Sequence, residues 1–210
     1  MDIAIIDYGM GNLKSVQKAF TALGFDADIT NNREDIKNAH KVVLPGVGAF
    51  RDAINQLNET GMTQAIQEAV KSGKPFLGIC LGMQLLFDKS YEYGEYEGLK
   101  ILPGEIIKFK EEDMRLSNGE MLKVPHMGWN TLEFTKKEPL FAGLKDESSV
   151  YFVHSYYLQT TADIVSSYTN YGTRIAVSAQ KDNVFATQFH PEKSGDVGLQ
   201  ILRNFGGLKG

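Results

Sequence analysis

A chain of 210 residues, 42% hydrophobic and 23% charged, is long enough to bury a sizeable core within a single domain spanning 1–210. Its net charge of −4 argues against a nucleic-acid binder, whose footprint is basic. No apolar stretch is long enough to span a bilayer. One cysteine cannot form an internal disulfide, and Met1-Asp2-Ile3-Ala4 lacks the basic start and apolar run of a signal peptide, so a cytoplasmic protein is expected.

The first half alternates strand and helix signals. Ile3-Ala4-Ile5-Ile6 is a short apolar run, read as a buried strand. Leu13, Val16, Phe20 and Leu23 then recur at helical spacing. A strand near residues 27–30 follows, then Val42-Val43-Leu44, closed by Pro45-Gly46. Helical segments are predicted over 50–57 and 63–70. Pro75 to Ile79 reads as a strand, and Leu81 to Phe87 as a helix. This rhythm predicts an α/β fold, an open and mostly parallel sheet with helices on both faces. In the second half, residues 105–109, 131–134, 150–159 and 164–168 read as strands. Residues 174–179 and 184–189 form a predicted hairpin around Lys181-Asp182-Asn183, and a last helix covers about 194–205. These strands extend the parallel core in antiparallel fashion. The polar stretch from Lys110 to Glu120 reads as an exposed loop or hairpin tip.

Gly78-Ile79-Cys80-Leu81-Gly82 has the form Gly-x-nucleophile-x-Gly between a strand and a helix, the context a nucleophile elbow requires. A first-turn helical position favours thiolate over thiol. The Leu81 N–H is then placed to donate to an oxyanion. A lone cysteine fits simple packing equally well, so a partner base decides. Of the four histidines, His40 lies in polar surroundings and reads as a surface residue. His190 directly follows a strand and precedes Pro191, which pushes it into the extended region. Glu192, two residues on, can then face the same side and orient the ring. Alone, His-Pro-Glu is also an ordinary turn after a strand. Together with the elbow it makes an ordered Cys80, His190, Glu192 set. Gly46, Val47 and Gly48, at another strand end, can bring a second backbone donor close to a substrate. Tyr8-Gly9-Met10-Gly11-Asn12 lacks the third glycine of a dinucleotide fingerprint, because position 14 is Lys14. No zinc spacing appears either. Neither a cofactor nor a metal is expected.

These motifs, Pro45 to Gly48, Gly78 to Gln84 and Phe189 to Glu192, resemble the class I glutamine amidotransferases along essentially the whole chain. The resemblance implies a flavodoxin-like fold and a Cys80–His190–Glu192 triad that hydrolyses glutamine and passes ammonia to a synthase. It implies that Gly48, Gln84, Glu92, Ser155 and Tyr156 hold the substrate. Tyr8 to Leu13, Pro125 to Asn130 and Tyr151 to Tyr156 are similar to the members of that family that serve histidine biosynthesis. That similarity implies a heterodimer with a (β/α)8-barrel cyclase subunit, faced by Trp129, Asn130, Tyr151 and Lys193. His126 and His154 are read as structural or substrate-adjacent. A glutaminase for another product such as anthranilate, a stand-alone cysteine hydrolase and an idle scaffold are the competing readings.

Overall fold

Strand β1 (Ile3–Ile6) sends Ile3 and Ile5 to one side of a sheet and Ala4 and Ile6 to the other, and all four are fully buried. A strand apolar on both faces belongs in the middle of a sheet covered by helices on both sides. The computed structural model describes residues 1–116 and 118–209. In its first half, β1 is followed by α1 (Leu13–Ala22), β2 (Ala27–Thr30), α2 (Arg33–Asn38), β3 (Lys41–Gly46), α3 (Phe50–Glu59), α4 (Met62–Lys71), β4 (Phe76–Cys80) and α5 (Leu81–Leu85). The second half carries β5 (Lys89–Ser90), β6 (Tyr96–Glu97), β7 (Glu105–Lys108), β8 (His126–Thr131), β9 (Glu133–Phe134), β10 (Ser149–His154) and β11 (Tyr156–Gln159). β12 (Val165–Tyr171), β13 (Thr173–Lys181), β14 (Val184–Thr187) and α6 (Gly195–Gly206) complete it.

The main sheet runs β2-β1-β3-β4-β14-β13-β11-β7-β5-β6, with β12 and β9 attached beside β13. Strands β2 to β14 in that order pair in parallel, and β13, β11 and β7 continue antiparallel. Helices α1 and α6 contribute Val16, Phe20, Ile201, Leu202 and Phe205 to the core on the Ile3/Ile5 face. Helices α2 to α5 cover the Ala4/Ile6 face through Ile36, Phe50, Leu57, Ile66 and Met83. The expected open α/β architecture is the one observed. Among the described residues, no helix is long and apolar enough to cross a membrane.

Several boundaries differ from the pattern reading. Pro45 and Gly46 do not close β3. They lie within it, and Gly46 pairs with Cys80. α5 stops at Leu85, where the chain from Leu99 to Leu102 crosses and donates its amides to the carbonyls of Leu85, Leu86 and Phe87. The apolar run from Val150 to Gln159 is two strands. β10 pairs with β8 in a separate two-stranded sheet, β11 joins the main sheet, and Ser155 is the break. Trp129 lies on β8. Short α2 escapes a periodicity search because only Ile36 is buried, while Asn32 caps it by accepting from the Glu34 N–H at 2.9 Å. In the polar 110–120 stretch, a 3-10 turn at Glu112–Met114 and a bridge between Arg115 and Met121 define a hairpin base. Residue 117 lies outside the described residues.

Candidate active site

Three adjacent parallel strands, β3, β4 and β14, end at the same edge of the sheet, the edge where open α/β folds bind ligands. Gly46, Cys80 and His190 are at or just beyond those ends. Cys80 has φ 55° and ψ −112°, a conformation non-glycine residues rarely hold. The strain is imposed by the direct passage from β4 into α5 with no intervening residue. Gly82 permits that passage, since a Cβ there would collide with the Leu44 carbonyl. Gly46 is held as tightly. A Cβ there would meet the Tyr8 hydroxyl and lie 3.0 Å from the Gly82 nitrogen.

Cys80 is only 7% exposed. It is not displayed on the open surface as a simple elbow reading suggests, but forms part of the floor of a cavity of about 290 Å3, the size class of a small-molecule site. Val47, Gly48, Leu81, Gln84 and His190 line that cavity with it. Glu92, Ser155 and Tyr156 line it as well, so every expected substrate residue borders one space. Glu92 Oε2 also accepts from the Phe50 N–H at 2.6 Å, which fixes this carboxylate at the start of α3.

His190 is extended (φ −101°, ψ 96°), as its position before Pro191 requires. The next three residues curl into a 3-10 turn, Pro191–Lys193, that brings Glu192 beneath the ring. His190 Nδ1 and Glu192 Oε1 are 2.8 Å apart, and both side chains are 2% exposed. The backbone is pinned as well. The His190 N–H donates to the Tyr151 carbonyl at 3.0 Å, and Ser194 Oγ donates to the His190 carbonyl at 2.6 Å. Burial alone lowers the His190 pKa, but Cys80 and Glu192 together overcome it and raise the value well above that of ordinary histidine. Three buried side-chain atoms make no hydrogen bond among the described residues: Tyr8 Oη, His190 Nε2 and Glu192 Oε2. All three belong to residues of this edge. The Tyr8 phenol is pushed upward in pKa by burial first and by Cys80 second.

A chain of hydrogen bonds that the sequence did not announce runs behind the cavity. Gln188 Nε2 donates to Cys80 Sγ at 3.8 Å. Gln84 Nε2 donates to Gln188 Oε1 at 3.0 Å and to the Tyr156 carbonyl at 3.4 Å. His154 Nδ1 donates to the same carbonyl at 2.8 Å, and its Nε2 is 3.0 Å from His126 Nδ1. Because the carbonyl only accepts, His154 carries its proton on Nδ1, and His126 Nδ1–H donates onward. Burial pushes both histidines down, His126 to about 4 and His154 to about 3, so both are neutral at neutral pH. Gln188 lies two residues before His190, the spacing that places alternate residues on one side, and that was the available signal.

The expected partner-facing residues divide between two faces of the β8–β10 ribbon. Trp129 pairs with Tyr151 across the strands, their rings edge to face at 6.3 Å, and Trp129 is 58% exposed. Lys193 is exposed at the end of the 3-10 turn. Asn130 follows Trp129 on β8, where side chains alternate between the two faces of the strand. It lies opposite Val150 and donates through Nδ2 to the Asn170 carbonyl at 2.9 Å.

The model of the class-I glutamine amidotransferases matches residues 4–206, and the chain belongs to that family. Within it, the chain is 52% identical to the imidazole glycerol phosphate synthase subunit HisH of Syntrophotalea carbinolica, over 98% of this chain and 100% of that one. It is 51% identical to the subunit of the same name from Geobacter sulfurreducens, with 99% of each covered. Among solved structures, a glutamine amidotransferase superposes with a TM-score of 0.73 at 18% identity, covering 99% of this chain and all of that one. The glutaminase domain of CTPS from Trypanosoma brucei gives 0.65 at 17% identity, covering 97% and 92%. At those identities the structures speak for the fold.

Proposed function

We propose that this chain is the glutaminase subunit of an imidazole glycerol phosphate synthase. It hydrolyses glutamine to glutamate and ammonia and supplies the ammonia to a cyclase subunit. That subunit forms imidazole glycerol phosphate and aminoimidazole carboxamide ribonucleotide in histidine biosynthesis. The observation that carries this reading is Cys80 at a strained elbow on the floor of the cavity that His190 also lines, with His190 held 2.8 Å from Glu192.

The Cys80 proton passes to His190, whose Glu192 partner stabilises the imidazolium. The thiolate attacks the side-chain amide carbon of glutamine. The Leu81 N–H and a donor from Gly46, Val47 or Gly48 hold the tetrahedral oxyanion, and one such donor is worth roughly 3 kcal/mol. His190 protonates the departing ammonia, then activates the water that hydrolyses the thioester. Gly48, Gln84, Glu92, Ser155 and Tyr156 position the substrate. Both protons of Gln84 Nε2 are engaged within the protein, so its free Oε1 meets the substrate as an acceptor.

Ammonia released into water would be protonated and lost, so the cyclase must cover the site. Its (β/α)8 barrel docks as the second half of a heterodimer on the surface formed by Trp129, Asn130, Tyr151 and Lys193. The exposed apolar side chains of Val47, Met127 and Trp129 support a docking face there. The test is glutamate release by the purified chain, with and without the cyclase and its nucleotide ligand. Strong stimulation by both, abolished in Cys80→Ala, is expected. Equal activity without any partner would identify a stand-alone hydrolase, and an intact complex that forms no glutamate would identify a scaffold.

A further inference from the structure

We infer that Gln188 is a positioning residue for the nucleophile, donating a hydrogen bond to the Cys80 sulfur that favours and aims the thiolate. The inference rests on the reading of Cys80 as the nucleophile. Its ground is the direction of the hydrogen bonds. An amide side chain can be turned either way, and only its neighbours decide which end faces the sulfur. Here they decide without ambiguity. The Tyr156 carbonyl can only accept, so Gln84 presents Nε2 to it, at 3.4 Å. That same nitrogen then meets Gln188, which must answer with its oxygen, at 3.0 Å. The Gln188 NH2 is left facing Cys80 Sγ at 3.8 Å. Turning Gln188 over would set two nitrogens against each other at one end and an oxygen against the sulfur at the other.

Gln188 is fully buried, so water does not compete for its amide and the donor's orientation is kept. A donor at fixed orientation lowers the energy of an anion more than that of its neutral acid. Gln188 therefore acts on the thiolate from a direction separate from His190, and Gln84 acts through Gln188 as its orienter. The titratable groups around the sulfur are His190 and Glu192 after β14, Tyr8 after β1, His154 at the end of β10, Tyr156 at the start of β11 and Glu92 beyond β5. None of them changes in the variants below.

Because Cys80 is the only cysteine in the chain, alkylation by iodoacetamide reads this sulfur alone. The rate is followed by intact mass from pH 5 to 10 in the wild type, Gln188→Met and Gln188→Glu, after circular dichroism has established the fold. Methionine keeps the bulk and removes the donor. Its profile should move up by about one pH unit, roughly tenfold slower alkylation on the acid side, because a hydrogen bond to a charged group is lost. Gln188→Glu should move it further, since an anion then faces the sulfur. A Gln188→Met profile that overlays the wild type overturns the inference. If either Gln188 variant fails to fold, Gln84→Met decides. It leaves Gln188 in place without its orienter, so a smaller upward shift supports the inference and an unchanged profile overturns it. Alkylation needs neither glutamine nor a partner. A chain that forms no glutamate would defeat the functional reading and leave this result standing, and the reverse also holds.

Discussion

His190 Nδ1 lies 2.8 Å from Glu192 Oε1, with both side chains 2% exposed. A carboxylate enclosed with an imidazole accepts from the ring in either state and stabilises the protonated ring far more than the neutral one. The raised pKa of His190, to which both Cys80 and Glu192 contribute against burial, places that protonated state at neutral pH. Glu192→Gln keeps the shape and removes the charge. Its kcat/KM for glutamine should fall by about 100-fold or more, in the range ascribed to acid–base catalysis, with KM little changed. Because the folded His190 pKa is raised, its stabilising link is fully present below pH about 6.5 and fades as pH rises toward the folded value. Urea unfolding at pH 6 should show Glu192→Gln less stable than wild type, with the gap narrowing at pH 9.

The elbow conformation of Cys80 makes a separate prediction. With φ at 55°, any side chain at position 80 is strained and glycine is not. Cys80→Gly and Cys80→Ala should both be inactive, and Cys80→Gly should be the more stable by about 1–2 kcal/mol. Urea midpoints check this. Equal midpoints would mean that the turn stores no strain.

His126 and His154 supply the pH dependence of stability on the acid side. Both are held neutral in the fold by burial, at about 4 and about 3. The unfolded chain binds protons at these residues as pH falls below about 6.5, while the folded chain does not. Stability should therefore decrease from pH 6.5 toward 4. A His126→Asn variant should show a shallower slope over pH 6.5 to 5, where few carboxylates titrate. An unchanged slope would contradict the assignment.

Trp129 is exposed and packs edge to face on Tyr151. Trp129→Ala should alter folding stability by less than about 0.5 kcal/mol, as surface substitutions do. It should weaken binding to the cyclase by about 10-fold or more if the indole anchors that interface. Calorimetric titration separates the two effects.

Local patterns made much of this molecule readable from sequence. The strands β1, β3 and β4, helices α1, α3 and α4, the elbow at Cys80 and the His190–Glu192 pairing each depend on residues a few positions apart. The division of residues 150–159 at Ser155 does not. Both halves show strand-like apolar content, and nothing local signals that β10 pairs with β8 while β11 joins the main sheet. Gln188 escaped for the same reason. A glutamine beyond a strand carries no motif, and its role depends on a sulfur 108 residues away. The His126–His154 pair likewise joins residues 28 apart that meet only through the register of β8 and β10.

On the proposed mechanism, Cys80 forms a covalent bond with the side-chain carbonyl carbon of glutamine. Rapid acid quench of the complex during turnover, followed by intact-mass and peptide analysis, tests it directly. A γ-glutamyl thioester is expected on the peptide that contains Cys80, at no more than one per chain, in a fraction of chains that rises when hydrolysis is slowed. Glutamate formation that proceeds undiminished in Cys80→Ala, with no thioester in the wild type, would contradict it.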